Sequence, residues 1–441
     1  MKLFFLFFII VFVKGCSFDT KSGIWQTENS NNKNDESLFK EFKTLSSENE
    51  NFNKTIVKNN DFQFKLPKIK NNLEWRDRYL KDSNNLFNFQ YNNNNNLIFK
   101  GKKISGSLIN DFLVDENENI ILGDLKGNIF LFSKIENKIL HKFNFYQKKY
   151  KKLKKYLNLI IENNIVYVSD NIGYLYAYDY KANKVLWAKN YKIPFRSNLK
   201  ITKEKLIAVN QNNMLFYFNK KTGEKIRSIP SEETIVKNEF INNLSLTFKN
   251  LFFLNSYGSL YSINNNNMRI NWFVNLNKSL DINPANLFTG KEIIHSSNKI
   301  IVTTNDNLYV INAVSGSTIF KKNFTSLVKP LVIKDYIFLI SRNNLLISIN
   351  LNNGEIIYSY NINQKIAEFL NTKKKKVEFM KILMANNSIL IFLKNSYVVK
   401  FDVNGTIKEI FKLPIKMNSN PKIINNSLIY LDKKNKIIII D

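Results

Sequence analysis

The feature that most restricts the fold is a repeat that recurs eight times in this 441-residue chain. Each copy has a turn residue directly before an alternating apolar segment such as YLYAY or LLISI. Short apolar runs bounded by Gly, Asn and Asp are typical of antiparallel strands. The turn residues follow one another at intervals of 38 to 52 residues, and they are Gly127, Gly173, Asn213, Gly258, Asp306, Asn344, Ser396 and Asn435.

Two further positions recur at a nearly fixed distance after the turn residue in most copies, and each forms a column when the copies are aligned. Nine or ten residues later most copies have a residue that tolerates positive φ, namely Asn137, Asn183, Gly223, Asn267, Gly316, Gly354 and Gly405. A few residues beyond this corner several copies have a bulky side chain, namely Trp187, Trp272, Phe320 and Tyr358. His141 and Arg227 interrupt that column.

A repeat of this length with four strands per copy indicates a β-propeller. Periodic turns alone would also allow a β-sandwich or a large sheet array, but eight similar units favour the propeller. The sequence therefore predicts an all-β fold, an eight-bladed β-propeller of four-stranded antiparallel blades over residues 61–441. The last copy stops at Asp441, directly after its KIIII strand, so an N-terminal strand should close the ring and remove a free sheet edge. Leu86–Gln90 and Leu97–Lys100 are the candidates, and Phe62–Gln90 is expected to pack on the propeller's edge.

The front of the chain predicts export. Residues 1–15 have one early Lys and an almost unbroken apolar run, which is typical of a signal peptide. The run ends at Val13-Lys14-Gly15-Cys16, with the only cysteine of the chain, and resembles a bacterial lipobox. That resemblance implies a lipidated Cys16 and, with Ser17 after it, an outer-membrane location; a plain signal peptide with an incidental Cys is the alternative. Residues 16–60 are polar and predict a disordered tether, in which Trp25 stands out.

The formal net charge of +29 raises the question of nucleic acid. The lysines are spread over every blade, the chain is predicted to be exported, and no nucleic-acid-binding motif is present, so the sequence predicts no nucleic-acid partner. The densest clusters, Lys148–Lys155 and Lys373–Lys376, lie between blades. They are interpreted as solvated loops, with attraction to anionic lipid headgroups or to an acidic protein surface as the functional alternative.

The repeats resemble those of quinoprotein dehydrogenases, as in KKTGEKI at Lys220–Ile226 and NNGEIIY at Asn352–Tyr358. Those enzymes use adjacent cysteines over the quinone, and Cys16 has no cysteine neighbour. His141 is expected to pack and His295 to lie in a loop, without a zinc arrangement. Asp124 and Asp170 are interpreted as turn residues. The sequence therefore predicts no enzyme activity, no cofactor and no metal.

A signal, a lipobox and one propeller of such repeats over residues 86–441 resemble the BamB family of outer-membrane assembly lipoproteins. The resemblance implies a periplasm-facing scaffold that binds the barrel-inserting subunit of the β-barrel assembly machinery and assists insertion of outer-membrane proteins. It also implies partner contacts in loops between blades, for which Lys278, Leu280, Asp281 and Asn283 are the nearest match; an ordinary loop is the alternative. The other functional hypothesis is a non-catalytic binding module for polysaccharide or another anionic ligand.

Overall fold

The computed structural model describes residues 16–18, 25–27, 52–146, 148–233, 240–277 and 288–441. The chain has two compact units, Met1–Asn51 and Phe52–Asp441. In the first unit, strands β1 (Cys16–Phe18) and β2 (Trp25–Thr27) pair in antiparallel register, with Ser17 opposite Gln26. The repeats all lie in the second unit.

The second unit contains eight sheets of four antiparallel strands, here called blades and numbered in chain order, and the sheet of blade 7 has the short parallel strand Asn88–Phe89 as a fifth member. Two strands precede blade 1, β3 (Asn88–Phe89) and β4 (Leu97–Lys100). The strands of blades 1 to 4 are β5 (Ile109–Val114), β6 (Ile120–Asp124), β7 (Ile129–Ser133), β8 (Lys138–Phe143), β9 (Asn158–Glu162), β10 (Ile165–Ser169), β11 (Tyr174–Asp179), β12 (Lys184–Asn190), β13 (Lys200–Ile201), β14 (Lys205–Val209), β15 (Leu215–Asn219), β16 (Lys225–Ile229), β17 (Asn243–Leu246), β18 (Asn250–Leu254), β19 (Ser259–Asn264) and β20 (Ile270–Asn275).

Blades 5 to 8 continue the pattern. Their strands are β21 (Ile294–Ser296), β22 (Lys299–Thr303), β23 (Leu308–Asn312), β24 (Thr318–Lys322), β25 (Leu331–Ile333), β26 (Tyr336–Ile340), β27 (Leu345–Asn350), β28 (Ile356–Asn361), β29 (Phe379–Ala385), β30 (Ser388–Leu393), β31 (Tyr397–Asp402), β32 (Ile407–Lys412), β33 (Lys422–Ile424), β34 (Ser427–Leu431) and β35 (Ile437–Ile440). The eight-bladed, all-β architecture predicted from the repeat is thereby confirmed.

The first strand of each blade is innermost and the fourth is outermost. First strands of neighbouring blades approach one another, as β13 and β17 do, whereas fourth strands such as β20 are largely exposed. Antiparallel order then places the turns between second and third strands, and the connections between blades, on one face of the ring. This is the connection face. The turns between first and second strands, and between third and fourth strands, lie on the opposite hairpin face.

The second strands form the apolar body of the ring. Every residue of β26, from Tyr336 to Ile340, is buried, because a blade packs against a neighbour on both of its sides. Strands buried on both sides appear in the sequence as continuous apolar runs. More exposed and less exposed residues alternate instead in strands at the rim, such as β12 and β20.

The column of turn residues that defines the repeat lies between second and third strands. Seven of its eight members have positive φ, from 56° at Asn435 to 102° at Gly173; Asp306 is the exception. The residue that opens the turn supplies a side-chain acceptor. Asp170 Oδ1 accepts backbone N–H groups of Ile172, Gly173 and Tyr174, each at 2.8 Å. The interpretation of Asp124 and Asp170 as turn residues is confirmed.

The corner column and the aromatic column meet across neighbouring blades. A Cβ on Gly223 of blade 3 would lie 2.4 Å from the ring of Trp187 in blade 2, and one on Gly316 of blade 5 would lie 2.7 Å from the ring of Trp272 in blade 4. Trp187 Nε1 also donates to the carbonyl of Lys220 at 3.0 Å. Glycine is needed at these corners both for its positive φ and for room. In blade 4 the corner residue with positive φ is Met268 and not the predicted Asn267; Met268 lies ten residues after Gly258, which is the spacing of most copies.

An N-terminal strand closes the ring, as predicted. β4 pairs with β35 and becomes the outermost strand of blade 8, with Phe99 opposite Ile439. The other candidate, Leu86–Gln90, has a different place. Its residues Asn88 and Phe89 pair in parallel with Met384 and Ala385 of β29, the innermost strand of blade 7.

The blade connections contain little regular structure. Among the described residues, helix α1 (Ile362–Leu370) joins blades 6 and 7, and a 3₁₀ turn (Lys148–Tyr150) lies between blades 1 and 2. Asn361 caps α1 by accepting the N–H of Gln364, and Asn371 ends it in the left-handed conformation. None of the described helices is both long and apolar enough to cross a membrane.

Because each blade packs against a neighbour on both sides, we expect contacts between blades to contribute most of the stability. We expect Trp187→Ala to lower the free energy of unfolding by roughly 3–5 kcal/mol, because a large buried ring and its hydrogen bond are removed. Leu186→Ala is the matched control, since its side chain is 46% exposed and should cost under about 1 kcal/mol. Chemical denaturation followed by circular dichroism measures both. Equal losses of stability in the two variants would contradict the role given to the contact between Trp187 and the neighbouring blade.

Candidate functional site: the plugged channel and its mouth

The axial channel of the propeller is filled by residues 70–91, here called the plug. The expectation that Phe62–Gln90 packs on the propeller's edge is wrong for this part of the segment. Before it, Ile56 pairs with Ser359 on the outermost strand of blade 6, and Phe64 packs 4.8 Å from the ring of Tyr336. The chain thus passes from the rim of blade 6 inward to the axis.

The plug contacts the blades one after another around the axis. Its contacts, in chain order, are Asn72 with Ile423 of blade 8, Trp75 with Val114 of blade 1, Asp77 with Ile160 of blade 2 and Lys200 of blade 3, Asp82 with Leu246 of blade 4, Ser83 with His295 of blade 5, Asn84 with Lys329 before blade 6, and Asn88 with Met384 of blade 7. Twenty or so residues therefore complete one circuit of the ring.

Backbone hydrogen bonds hold the plug to the inner strands. Trp75 and Val114 exchange two of them, at 2.7 and 3.1 Å, and Leu246 donates to the carbonyl of Asp82 at 2.8 Å. The innermost strand of a blade has an edge without a strand partner, and buried backbone groups on that edge need acceptors and donors. The plug supplies them, so it is part of the fold and not a loose tail.

Lysines on the inner strands point at the plug. Lys200 Nζ lies 2.5 Å from Asp77 Oδ2, and both side chains are at most 3% exposed. Lys422 Nζ lies 2.8 Å from Asp111 Oδ1 of blade 1 and also donates to the carbonyl of Phe112. A buried ammonium is tolerated only when it is paired and hydrogen-bonded, which these two are.

Aromatic rings of the plug face two further lysines. Lys381 Nζ lies 4.7 Å from the centre of the Trp75 ring and donates to the carbonyl of Pro421 at 2.8 Å. Lys329 Nζ lies 5.4 Å from the centre of the Tyr79 ring and donates to the carbonyl of Asn84. Such cation–π contacts offset part of the cost of removing an ammonium from water.

The pKa values of these lysines follow their surroundings. Burial lowers the pKa of Lys381 to about 7, with the nearby charge of Lys422 acting in the same direction. Burial likewise lowers the pKa of Lys329 to about 8. For Lys422, burial lowers the pKa while the Asp111 carboxylate opposes the shift. Burial in the channel thus favours the neutral form of all three lysines.

At the mouth of the channel, on the connection face, the ring is open. A cleft of about 770 Å³ lies there, above the plug and between the inner ends of blades 1 to 4. Arg78 of the plug, Arg196, Asp111 and Asn198 contribute polar groups, and Phe195 contributes apolar surface. Coulomb interactions with Tyr79, Asp111 and Glu292 outweigh burial and raise the pKa of Arg78. The cleft can hold a small polar ligand, with both signs of charge on its wall.

Several predicted site residues fall outside the described part of the chain. These are the signal segment 1–15 and the proposed partner-binding residues Lys278, Leu280, Asp281 and Asn283. Cys16 is described through its backbone, which begins β1. Within the described residues, no cluster of three or more His, Cys, Asp or Glu is arranged to hold a metal ion.

Both histidines lie on strands. His141 is on β8 and lines a small cavity together with Tyr180 of blade 2. The expectation that His295 lies in a loop is wrong, because it belongs to the innermost strand of blade 5. Its ring stacks on Phe252 with centroids 5.4 Å apart, and burial lowers its pKa to about 4.

Sequence reasoning missed the plug. The sequence pattern that could have revealed it is a set of charged residues within inner strands and in the aromatic segment 70–91, where apolar residues are expected. Lys200 and Lys422 begin very short inner strands, and Asp77 lies in a segment with Trp75 and Tyr79. Lysine at the start of an inner strand, with an acidic residue elsewhere to pair with it, is the pattern that could have pointed to the channel.

We expect Lys200→Met to lower the free energy of unfolding by about 3–5 kcal/mol, because it leaves the Asp77 carboxylate buried without a partner. Adding Asp77→Leu should recover much of that loss. Arg342→Met is the control, because its ion pair with Asp306 is exposed and is worth under about 1 kcal/mol. Denaturation midpoints compare the four proteins; a double variant no more stable than Lys200→Met would contradict the pairing.

The depressed pKa of Lys381 predicts a pH dependence. The unfolded chain, with a lysine pKa of 10.5, binds more protons than the folded one above pH 7. Stability should therefore rise with pH from about 7 toward 9. Lys381→Met should reduce that slope, while Lys416→Met, on an exposed connection, should retain it. Thermal unfolding at a series of pH values provides the test, and parallel curves for all three proteins would refute the assignment.

Comparisons with known proteins agree with this geometry. Residues 152–360 match the family model described as "Outer membrane protein assembly factor BamB". No curated protein sequence matches the chain. The crystal structure of BamB from Moraxella catarrhalis is similar with a TM-score of 0.60 at 12% identity, over 77% of this chain and 99% of that one.

Two other solved structures share the fold. Quinohemoprotein alcohol dehydrogenase from Comamonas testosteroni is similar with a TM-score of 0.60 at 9% identity, covering 83% of this chain and 80% of that one. A computationally designed protein is similar with a TM-score of 0.57 at 10% identity, covering 77% of this chain and 97% of that one. At such identities these likenesses concern the fold alone. The resemblance carried by the repeats is thereby confirmed: residues 152–360 are similar to the BamB family model, and the chain shares the β-propeller fold of these structures.

Proposed function

We propose that this protein is a periplasm-facing lipoprotein of the outer membrane, and that its propeller is a scaffold of the β-barrel assembly machinery which assists insertion of outer-membrane proteins. The match of residues 152–360 to the BamB family model supports this proposal. The likeness to the Moraxella catarrhalis BamB structure, of which 99% is covered, supports the same architecture.

The observation that carries the proposal is the plugged channel. A ligand on the propeller axis would have to displace the hydrogen bonds between the plug and the inner strands, together with the buried Lys200–Asp77 pair. The faces and the rim of the ring remain accessible, and loops on a rigid ring are suited to binding another protein. A non-catalytic scaffold fits this distribution of accessible surface better than an enzyme with an axial cofactor.

The anchor and the contact loop are part of the same proposal. Cys16, after the apolar run of residues 1–15, would carry the lipid, and the polar residues up to about 51 would form the tether. The tether ends earlier than residue 60, where the sequence placed its end, because Ile56 already pairs with Ser359 of blade 6. Residues Lys278, Leu280, Asp281 and Asn283, in the connection between β20 and β21, would contact the partner subunit. Apolar and charged groups together are usual at the centre of a protein interface.

The cleft at the channel mouth favours a second candidate function. Arg78 and Arg196 on its wall suit the carboxylate or phosphate groups of a polysaccharide or another anionic ligand. In that case the protein would be a binding module and not a scaffold. Asp111 and Asp124 on the same wall oppose an anion, so this function ranks second.

The test is purification of the lipidated full-length protein from detergent-solubilised membranes after mild cross-linking, with bound proteins identified by mass spectrometry. We expect the barrel-inserting subunit in near-equal amounts. Leu280→Asp with Asp281→Lys should reduce its recovery at least about tenfold, since interface centres contribute several kcal/mol. Asp335→Lys on the hairpin face is the control and should have no effect.

Recovery of the protein without a partner, or with bound glycan, would contradict the scaffold proposal and direct attention to the cleft. Cys16→Ala, with a conventional cleavable signal peptide in place of residues 1–15, separately tests the anchor. This variant should leave the membrane fraction while the propeller stays folded, as judged by circular dichroism. Retention of the variant in membranes would contradict lipidation at Cys16.

A further inference from the structure

The charge of the propeller is divided unequally between its two faces. The turns and connections of the connection face contain 24 Lys and Arg against 8 Asp and Glu among the described residues, whereas the turns of the hairpin face contain 8 of each. A uniform compositional bias toward lysine would give both faces a net positive charge, whereas the turns of the hairpin face carry none. The excess of positive charge therefore belongs to one face.

The excess is concentrated on one half of that face, from the connection after blade 6, through blades 7, 8 and 1, to the connection before blade 2. We call this surface the basic crescent. Apart from Lys394, which pairs with Glu378, its exposed lysines are Lys102, Lys103, Lys126, Lys148, Lys151, Lys152, Lys154, Lys373, Lys374, Lys375, Lys376, Lys416, Lys433 and Lys434. None of these lysines forms an ion pair within the described structure. Their charges are thus available to a partner.

One end of the crescent presents apolar side chains among its lysines. In the connection between blades 1 and 2, Lys155 is 2% exposed and donates to the carbonyl of Tyr150 at 2.5 Å. Leu153 and Tyr156 beside it are 52% and 53% exposed. The backbone here is fixed, since Tyr156 N–H donates to Asn171 Oδ1 at 2.8 Å. This connection buries a lysine and exposes a leucine, the reverse of the usual arrangement.

The other end of the crescent has the same combination. Helix α1 buries Ile362 and Ala367 against the ring, whereas Phe369 and Leu370 at its last turn are 47% and 48% exposed. Lys373–Lys376 follow directly, and all four are exposed. One acidic residue, Glu368, precedes the apolar pair and accepts a hydrogen bond from Gln364.

We propose that the basic crescent docks the propeller on an anionic phospholipid surface, with Leu153, Tyr156, Phe369 and Leu370 inserted at the level of the headgroups. Lysines attract anionic headgroups over about a Debye length, and aliphatic and aromatic tips enter the interface. The two apolar tips lie on one face but three blades apart. A plane reaches both at once, which favours a bilayer over the domain-sized acidic surface of a protein. The proposal does not depend on the barrel-assembly partner.

The test uses the predicted mature chain, residues 16–441, with Cys16→Ser, which removes the apolar segment 1–15 and any acyl group and leaves no native cysteine. Co-sedimentation with phosphatidylcholine vesicles, with and without phosphatidylglycerol, measures binding. Changing Lys373, Lys374, Lys375 and Lys376 to Gln should lower the partition coefficient at least about tenfold on anionic vesicles, since each such lysine contributes a factor of about five. The matched control changes four exposed hairpin-face lysines, Lys181, Lys203, Lys221 and Lys249, to Gln and should alter binding less than about twofold.

A second readout locates the contact. An environment-sensitive dye on Leu370→Cys should shift to an apolar signal on anionic vesicles, while the same dye on Val314→Cys, a 70% exposed hairpin-face position, should not. Equal losses in both lysine variants, or equal shifts at both cysteines, would overturn the proposal. So would unchanged vesicle binding combined with loss of the barrel-assembly subunit in cross-linked purifications, because the crescent would then serve an acidic protein.

Discussion

The unpaired inner edges of the blades are the constraint on which the rest of the structure depends. Eight innermost strands expose backbone groups to the axis, and the axis is too enclosed for each to be solvated freely. Residues 70–91 pair with them in turn, as Trp75 does with Val114 and Asp82 does with Leu246. Because its own N-terminal segment supplies the missing hydrogen-bond partners, the axial channel of this chain is filled. The chain also gives up the axial site in which a propeller can hold a ligand.

Positive charge is treated in two different ways by this fold. Inside, Lys200 and Lys422 are paired with Asp77 and Asp111, and Lys381 is held over an indole ring at a lowered pKa. Outside, lysines without ion pairs gather on half of one face. The same residue type therefore contributes to the order of the channel and to the recognition surface. The difference comes from what each ammonium faces.

Much of the ring could be predicted because its rules are local or repeat in the sequence. The Gly or Asn turn residues, the Gly corners and the aromatic column each mark a backbone or packing requirement that recurs in successive blades, and the structure shows Trp187 against Gly223 and Trp272 against Gly316. Ring closure followed from a missing strand. The exception is equally local: the corner of blade 4 is Met268 and not Asn267, because the turn keeps the ten-residue spacing even though Asn adopts positive φ more readily than Met.

The sequence by itself determined the repeat, the number of blades and the closing strand, because strand period, turn chemistry and blade packing are written into each copy. Only the tertiary structure decided where residues 70–91 lie, which lysines are buried, and which face carries the charge. Those outcomes depend on contacts between segments more than a hundred residues apart, such as Asp77 with Lys200 and Lys329 with Asn84. A pairing of that kind occurs once, so no repetition along the chain can reveal it.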